Sequence, residues 1–216
     1  MFVLSNRVLF NFFTHNNLSK NHFPIDDVVV SEEKIKTFIT LFLADDLVAF
    51  FSLKLSKNDY DSFEELDWLL DLKDYLPEEA IYKMTSQVFS KLDFALSQMS
   101  AGGDTFSNII YIKFKSFYDL LSHFRTVETD QKISQLLSLI IPYYEKKINV
   151  QFFTPVIQSM AYYNAFDENI KKTLDRNRAA VTVFTGEVGD NKPFAGVSVL
   201  IGIICAFLPL LVSKCS

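Results

Sequence analysis

The chain has 216 residues, with 21 Lys and Arg against 26 Asp and Glu for a formal charge of −5. Without a lysine- or arginine-rich block, that balance argues against nucleic acid as a partner. Its 22 Phe and 9 Tyr against only 6 Gly and 6 Pro disfavour a turn-rich sandwich or barrel and favour helices packed on helices.

Taken in chain order, Val3 to Leu18 carries apolar residues at a helical period, with Asn6, Arg7, Asn11 and His15 on the other side. No basic leader or small-residue cleavage site marks it as a signal peptide. Pro24 ends this stretch. Ser31-Glu32-Glu33 predicts a helix start with acids in the first turn, and the apolar positions Ile35, Phe38, Ile39, Phe42, Val48 and Leu53 carry one helix to Lys54. Ser62 to Glu65 resembles a second capped start, and Pro77-Glu78-Glu79 a third that runs to about Gln98. After the turn at Gly102-Gly103-Asp104 comes the most apolar segment of the body. Phe106, Ile110, Phe114, Phe117, Leu121 and Phe124 recur at three and four, which predicts one central helix surrounded by the others. Thr129-Asp130 reads as the next cap, with Pro142 ending or kinking that helix, and Thr154-Pro155 as the start of another. Asp167 to Arg178 is polar and basic, and residues 186–193 read as a flexible linker.

Phe194 to Val212 is nineteen residues without a charge, between Lys192 and Lys214. A helix there would reach about 28 Å, close to the ~30 Å hydrocarbon core of a bilayer. Gly196, Gly202 and Pro209 suit a membrane segment better than a short soluble helix. The expectation is a transmembrane tail anchor over 194–212, a linker over 186–193 and a single helical domain over 1–185. The cysteines, Cys205 and Cys215, both fall in or after the apolar segment, so a disulfide or cysteine-held zinc in the body is excluded and a reducing cytosol fits.

Chemistry is not visible in the body. His15, His22 and His123 lack a metal-ligand spacing, no phosphate-cradling glycine loop or nucleophile elbow occurs, and Asp45-Asp46 are helix neighbours that point in different directions. The reading is a non-enzyme without metal or cofactor, whose function lies in a surface that binds a partner.

Three segments, in order, resemble the Bcl-2 family of apoptosis regulators. Ser5-Asn6-Arg7-Val8-Leu9 through Phe13 and Leu18 is similar to the family's fourth homology region. Gly103-Asp104-Thr105-Phe106 through Phe117 resembles the first, and Thr154-Pro155-Val156-Ile157-Gln158 with Ala161-Tyr162-Tyr163 resembles the second. The tail anchor is a fourth agreement. The chain departs from the family pattern as divergent, viral-type members do. Ser107-Asn108-Ile109-Ile110 stands where Asn-Trp-Gly-Arg is usual, so Ile110 occupies the place of the arginine that pairs with a ligand aspartate.

The resemblance implies a helical bundle of seven to eight helices around a central hydrophobic helix, plus the membrane helix. It also implies an apolar groove that captures the amphipathic death-motif helix of pro-apoptotic relatives. Phe106, Ile109, Ile110, Lys113, Phe114 and Phe117, with Leu41 and Val48, would form that groove or the core behind it. The chain's own death motif, the third homology region, is expected at Leu41 with Asp45 or Asp46 as its acid. Leu69-Leu70-Asp71-Leu72-Lys73-Asp74 is a second candidate. The implied function is an inhibitor of apoptosis in the mitochondrial outer membrane or the endoplasmic reticulum membrane, as a homo- or heterodimer with relatives. The alternatives are a pro-apoptotic pore former of the same fold, and a tail-anchored helical scaffold without a groove.

Overall fold

A computed structural model describes Phe12 and residues 31–102, 106–146 and 148–187. All regular structure among the described residues is helical. The chain divides into two compact units, Met1–Ser90 and Lys91–Ser216, with the boundary inside a continuous helix. The first expected helix, Val3 to Leu18, lies outside the described residues except for Phe12, which is helical and buried.

In the N-terminal unit, α1 (Glu32–Phe42) begins at Ser31 with Glu32 and Glu33 in its first turn, as the sequence predicts. The helix does not continue to Lys54. It breaks at Leu43 (φ −129°), and α2 (Ala44–Ser56) follows. The buried residues explain the break. Ile35, Ile39, Leu43, Leu47, Phe51 and Leu55 recur at every fourth position. On a straight helix each such step drifts about 40° round the axis, so the series would leave the core face. The break resets the phase, and α1 and α2 pack against each other. Asn58, with positive φ, turns the chain into α3 (Tyr60–Leu70). The cap of α3 is Asp59, whose carboxylate accepts from the Ser62 amide at 2.7 Å, so this helix starts earlier than Ser62. A 3₁₀ turn, Lys73–Tyr75, leads to α4 (Glu78–Ala101), which begins after Pro77 as expected. Gly102, with φ +65°, stops α4 in the left-handed conformation that only glycine adopts freely.

In the C-terminal unit, the segment expected to be one central helix is two elements. A 3₁₀ stretch, Ser107–Lys113, contains Ile109 in a non-helical conformation. Phe114 is extended, and α5 (Lys115–Ser122) follows. Three neighbouring β-branched residues, Ile109, Ile110 and Ile112, weaken the α-helix here. The break also lets Ile109, Tyr111 and Ile112 all reach the core. Two tyrosine hydroxyls fix the result: Tyr111 donates to the Lys91 carbonyl at 2.9 Å and Tyr118 to the Ile112 carbonyl at 2.8 Å.

The next helix, α6 (Val127–Glu145), is capped by Thr126 rather than Thr129, and it runs past Pro142 to Glu145. The Thr129 hydroxyl instead donates to the Phe124 carbonyl at 2.6 Å. Asn149, in the left-handed conformation, starts α7 (Val150–Met160), so Thr154 and Pro155 lie inside this helix and not at its head. The hub of this unit is α7: α5, α6, the 3₁₀ stretch and α8 (Glu168–Glu187) all pack on it. Phe153, Val156, Ile157 and Met160, buried at helical spacing, explain why. The organising element is therefore α7, not the segment expected to be one central helix.

The last helix, α8, runs through Gly186 to Glu187, so the first two residues of the expected linker are helical. Residues 188–193 and the expected anchor, 194–212, lie outside the described residues. Among the described helices none is long and apolar enough to cross a membrane. One residue of α8 is misfitted: Asn177 is buried and its side-chain amide nitrogen has no hydrogen-bond partner among the described residues. Replacing a buried unpaired amide by an apolar group of similar size removes a desolvation cost. Asn177→Leu is expected to raise the unfolding free energy by about 1 kcal/mol, read from the shift in urea midpoint.

Candidate helix-binding surface

The apolar surface of the N-terminal unit gathers where α1 meets α2. The break at Leu43 buries that side chain and leaves its neighbour Phe42 65% exposed, while Leu53, three turns on, is 56% exposed. Leu41 is exposed as well. Phe42, Leu43, Ala49, Phe50 and Leu53, with Phe12, line a hollow of about 500 Å³. Phe12 meets Phe50 edge-on with ring centroids 5.3 Å apart. Lys54 lies 5.3 Å from the Phe50 ring and is tied to Glu65 at 2.6 Å, which fixes that end of α2.

One acid lines this hollow, and it is Asp46. The sequence left Asp45 and Asp46 open as the acid of the death motif. Asp45 instead lies close enough to Lys83 to favour its charge, as a smaller influence than the Glu79 partner of that lysine. The motif does not occupy one helix. Leu41 lies in the last turn of α1, whereas Asp45 and Asp46 lie in the first turn of α2, where they also complement its dipole. Val48 is half-buried and does not line the hollow.

The groove residues expected in the C-terminal unit divide by burial. Phe106, Ile109 and Phe117 are core. Phe106 stacks with Tyr143, Phe152 and Phe153 at 5.1–5.4 Å, and Phe117 lies between Tyr111 and Tyr118 at 5.1 and 5.5 Å. Ile110 is 41% exposed, and Lys113 and Phe114 are half-buried. The Lys113 ammonium lies 5.4 Å from the Phe152 ring centre, while its carbonyl accepts from the buried Ser159 hydroxyl at 2.7 Å. Only Ile110, Lys113 and Phe114 of this set offer side chains to solvent, because the extended Phe114 breaks the stripe that one straight helix would have presented.

Sequence reasoning missed the polar lock of this unit. Asp130 is buried in the first turn of α6. Its carboxylate accepts the Tyr163 hydroxyl at 2.7 Å, the Phe166 amide at 3.1 Å and the Asp167 amide at 2.7 Å. It thereby pins the α7–α8 connection to the start of α6. Read as a cap residue, Asp130 gave no hint of partners more than thirty positions away. Burial, with the bond to Asp130, holds the Tyr163 phenol well above the ordinary tyrosine range.

Lys91 is a half-buried polar feature of the same unit. Its ammonium lies 4.3 Å over the Tyr111 ring, and burial lowers its pKa to about 8. An unfolded lysine takes up its proton near 10.5, so between those values the unfolded chain binds more protons and stability rises with pH. The cost is fully present below pH 8 and gone above 10.5. Tyr111, Tyr118 and Tyr163, all raised by burial, act oppositely above pH 10.0, where the unfolded chain loses phenol protons that the folded chain keeps. Denaturation midpoints across the alkaline range are therefore expected to rise and then fall. Lys91→Met is expected to abolish the rise and keep the fall.

Among the described residues no group of His, Cys, Asp and Glu is placed to hold a metal ion. Among the described residues this surface offers apolar contact area with Asp46 beside it. No protein-family model, curated protein or solved structure matches the chain.

Proposed function

We propose that the protein is a regulator of apoptosis, an inhibitor that holds the amphipathic death-motif helix of pro-apoptotic relatives on an apolar surface. The segment 194–212 fixes it to an intracellular membrane, the mitochondrial outer membrane or the endoplasmic reticulum. The observation that carries this reading is the hollow beside Phe42 and Leu53. Two large apolar side chains stand more than half exposed round a concave site of about 500 Å³, at the segment resembling the family's third homology region. Contiguous exposed apolar surface marks a partner site, and a helix with apolar residues at i, i+3 or i+4 and i+7 is the partner that such a hollow between helices accepts. The order of the three sequence resemblances supports the same reading.

A specific observation also favours the pore-forming alternative. Leu41, Asp45 and Asp46, the residues expected to carry a death motif, are all exposed, although they fall on either side of the break at Leu43. Expression in cells given a death stimulus separates the two. Survival supports the inhibitor, and killing supports the pore former. A folded chain that binds no such helix and alters neither outcome supports a scaffold instead.

A further inference from the structure

Charge is unevenly divided along the chain. Residues 31–90 hold 13 Asp and Glu against 6 Lys, a net of −7, whereas the whole chain carries −5. The apolar hollow lies in this acidic unit, and its one acid has a definite place. Asp46, Ala49, Phe50 and Leu53 all line the hollow, and their spacings of three, one and three put them on one side of α2. Asp46 stands at the N-terminal end of that stripe. Leu53 stands at the other end, seven residues on, or about 10 Å along the axis. Phe42 of α1 also lines the hollow and meets the Phe38 ring with centroids 5.2 Å apart, which widens the apolar rim.

The cations of the unit are engaged elsewhere. Lys54, next to Leu53, is held by Glu65 at 2.6 Å, and Lys83 by Glu79 at 2.8 Å. Among the described residues no cation lines the hollow, and Asp46 has no ion-pair partner. The amide end of α2 offsets part of its charge, yet the side chain stays exposed at the edge of apolar surface.

We infer that the hollow selects a basic amphipathic helix. Apolar residues of that helix fill the space beside Phe42 and Leu53, and a Lys or Arg at the edge of its apolar stripe, about two turns from the residue over Leu53, pairs with Asp46. The inference rests on the reading that the hollow holds a partner helix, and it adds the charge which that partner carries. The polarity is opposite to the pairing implied by the family resemblance, because here the protein supplies the acid. The net charge of the unit draws a basic helix in from longer range, and an acidic helix meets repulsion at the same place.

The probes are designed amphipathic helices of about five turns with leucines at i, i+3 or i+4 and i+7. They are identical except for one residue at the edge of the leucine stripe, which is Lys, Gln or Glu and is moved from turn to turn. Each is titrated against the full chain in phosphatidylcholine nanodiscs, with empty nanodiscs as the blank. At the best position Lys is expected to bind about threefold tighter than Gln, and Gln about threefold tighter than Glu, as an exposed ion pair permits. Asp46→Asn is expected to erase the dependence on position and leave a weaker, uniform preference for Lys, which about 0.5 M salt removes. Lys, Gln and Glu helices that bind equally overturn the inference and leave the helix reading standing. A Lys preference undiminished in Asp46→Asn also overturns it, because the charge of the whole unit then accounts for the effect. If no helix binds, or Leu53→Glu leaves all binding unchanged, the helix reading itself fails and this inference fails with it.

Discussion

Asp130→Ala is expected to lower the unfolding free energy by about 4 kcal/mol, the largest loss for any single polar residue of the described body. The carboxylate is buried and accepts from three donors: the Tyr163 hydroxyl and the Phe166 and Asp167 amides. Truncation removes the acceptor and leaves the buried Tyr163 hydroxyl unpaired, while the part-buried Phe166 and Asp167 amides lose a charged partner for water. Each buried donor left unpaired costs about 1–3 kcal/mol, and a cavity adds to the sum. Asp130→Asn keeps one oxygen and turns an amide group toward a donor, so it is expected to cost about half as much. Tyr163→Phe loses one neutral partner and is expected to cost about 1.5 kcal/mol. Urea midpoints give the order Asp130→Ala, Asp130→Asn, Tyr163→Phe. If alanine proves as mild as phenylalanine, the lock contributes little.

The second large effect concerns ligand recognition. Ile110→Arg separates two places for the ligand: a death-motif helix held on the C-terminal unit would bind about tenfold to hundredfold tighter, whereas one held at the hollow beside Phe42 and Leu53 is expected to be unaffected. In the family that the chain resembles, an arginine at this place pairs with an aspartate of the ligand, and Ile110 forms no such bond. At 41% exposure the position can accept a longer side chain without opening the core. Lys113, three residues on, is a weaker substitute. It is a point charge without a planar fork, and it lies against the Phe152 ring. The gain should vanish when the ligand aspartate is replaced by alanine. Anisotropy titrations of both ligands against both proteins form a double-mutant cycle that isolates this pair. A gain that persists with the alanine ligand would show non-specific attraction by the added charge.

Much of the helical plan was legible in the residues. Ser31, Pro77 and the break after Ala101 were marked by acids in a first turn, a proline before a helix and a glycine, which act locally. The starts of α3 and α6 were displaced by three residues because Asp59 and Thr126 were available as caps just upstream of Ser62 and Thr129. The larger misreading was the central helix. Spacings of three and four through Phe106 to Phe124 fit an α-helix, yet Tyr111 and Tyr118 carry hydroxyls that need buried partners, and satisfying them required a 3₁₀ stretch and an extended Phe114. Periodicity counts apolar side chains and is blind to such distant polar bonds. The same blindness hid Asp130. At the candidate surface the sequence offered Leu41, Asp45 and Asp46, but only the break at Leu43 selected Phe42 and Leu53 to be exposed and put Asp46 at the hollow.

The central proposal is that this surface captures an amphipathic helix. The direct measurement is a titration of the full chain, held in lipid nanodiscs, with a panel of labelled death-motif helices, repeated with Leu53→Glu. The account predicts saturable binding of a restricted subset, abolished or strongly weakened by the glutamate, with the unfolding midpoint unchanged because Leu53 is exposed. A folded protein that binds none of the panel, or binds it equally well with Glu at position 53, would contradict it.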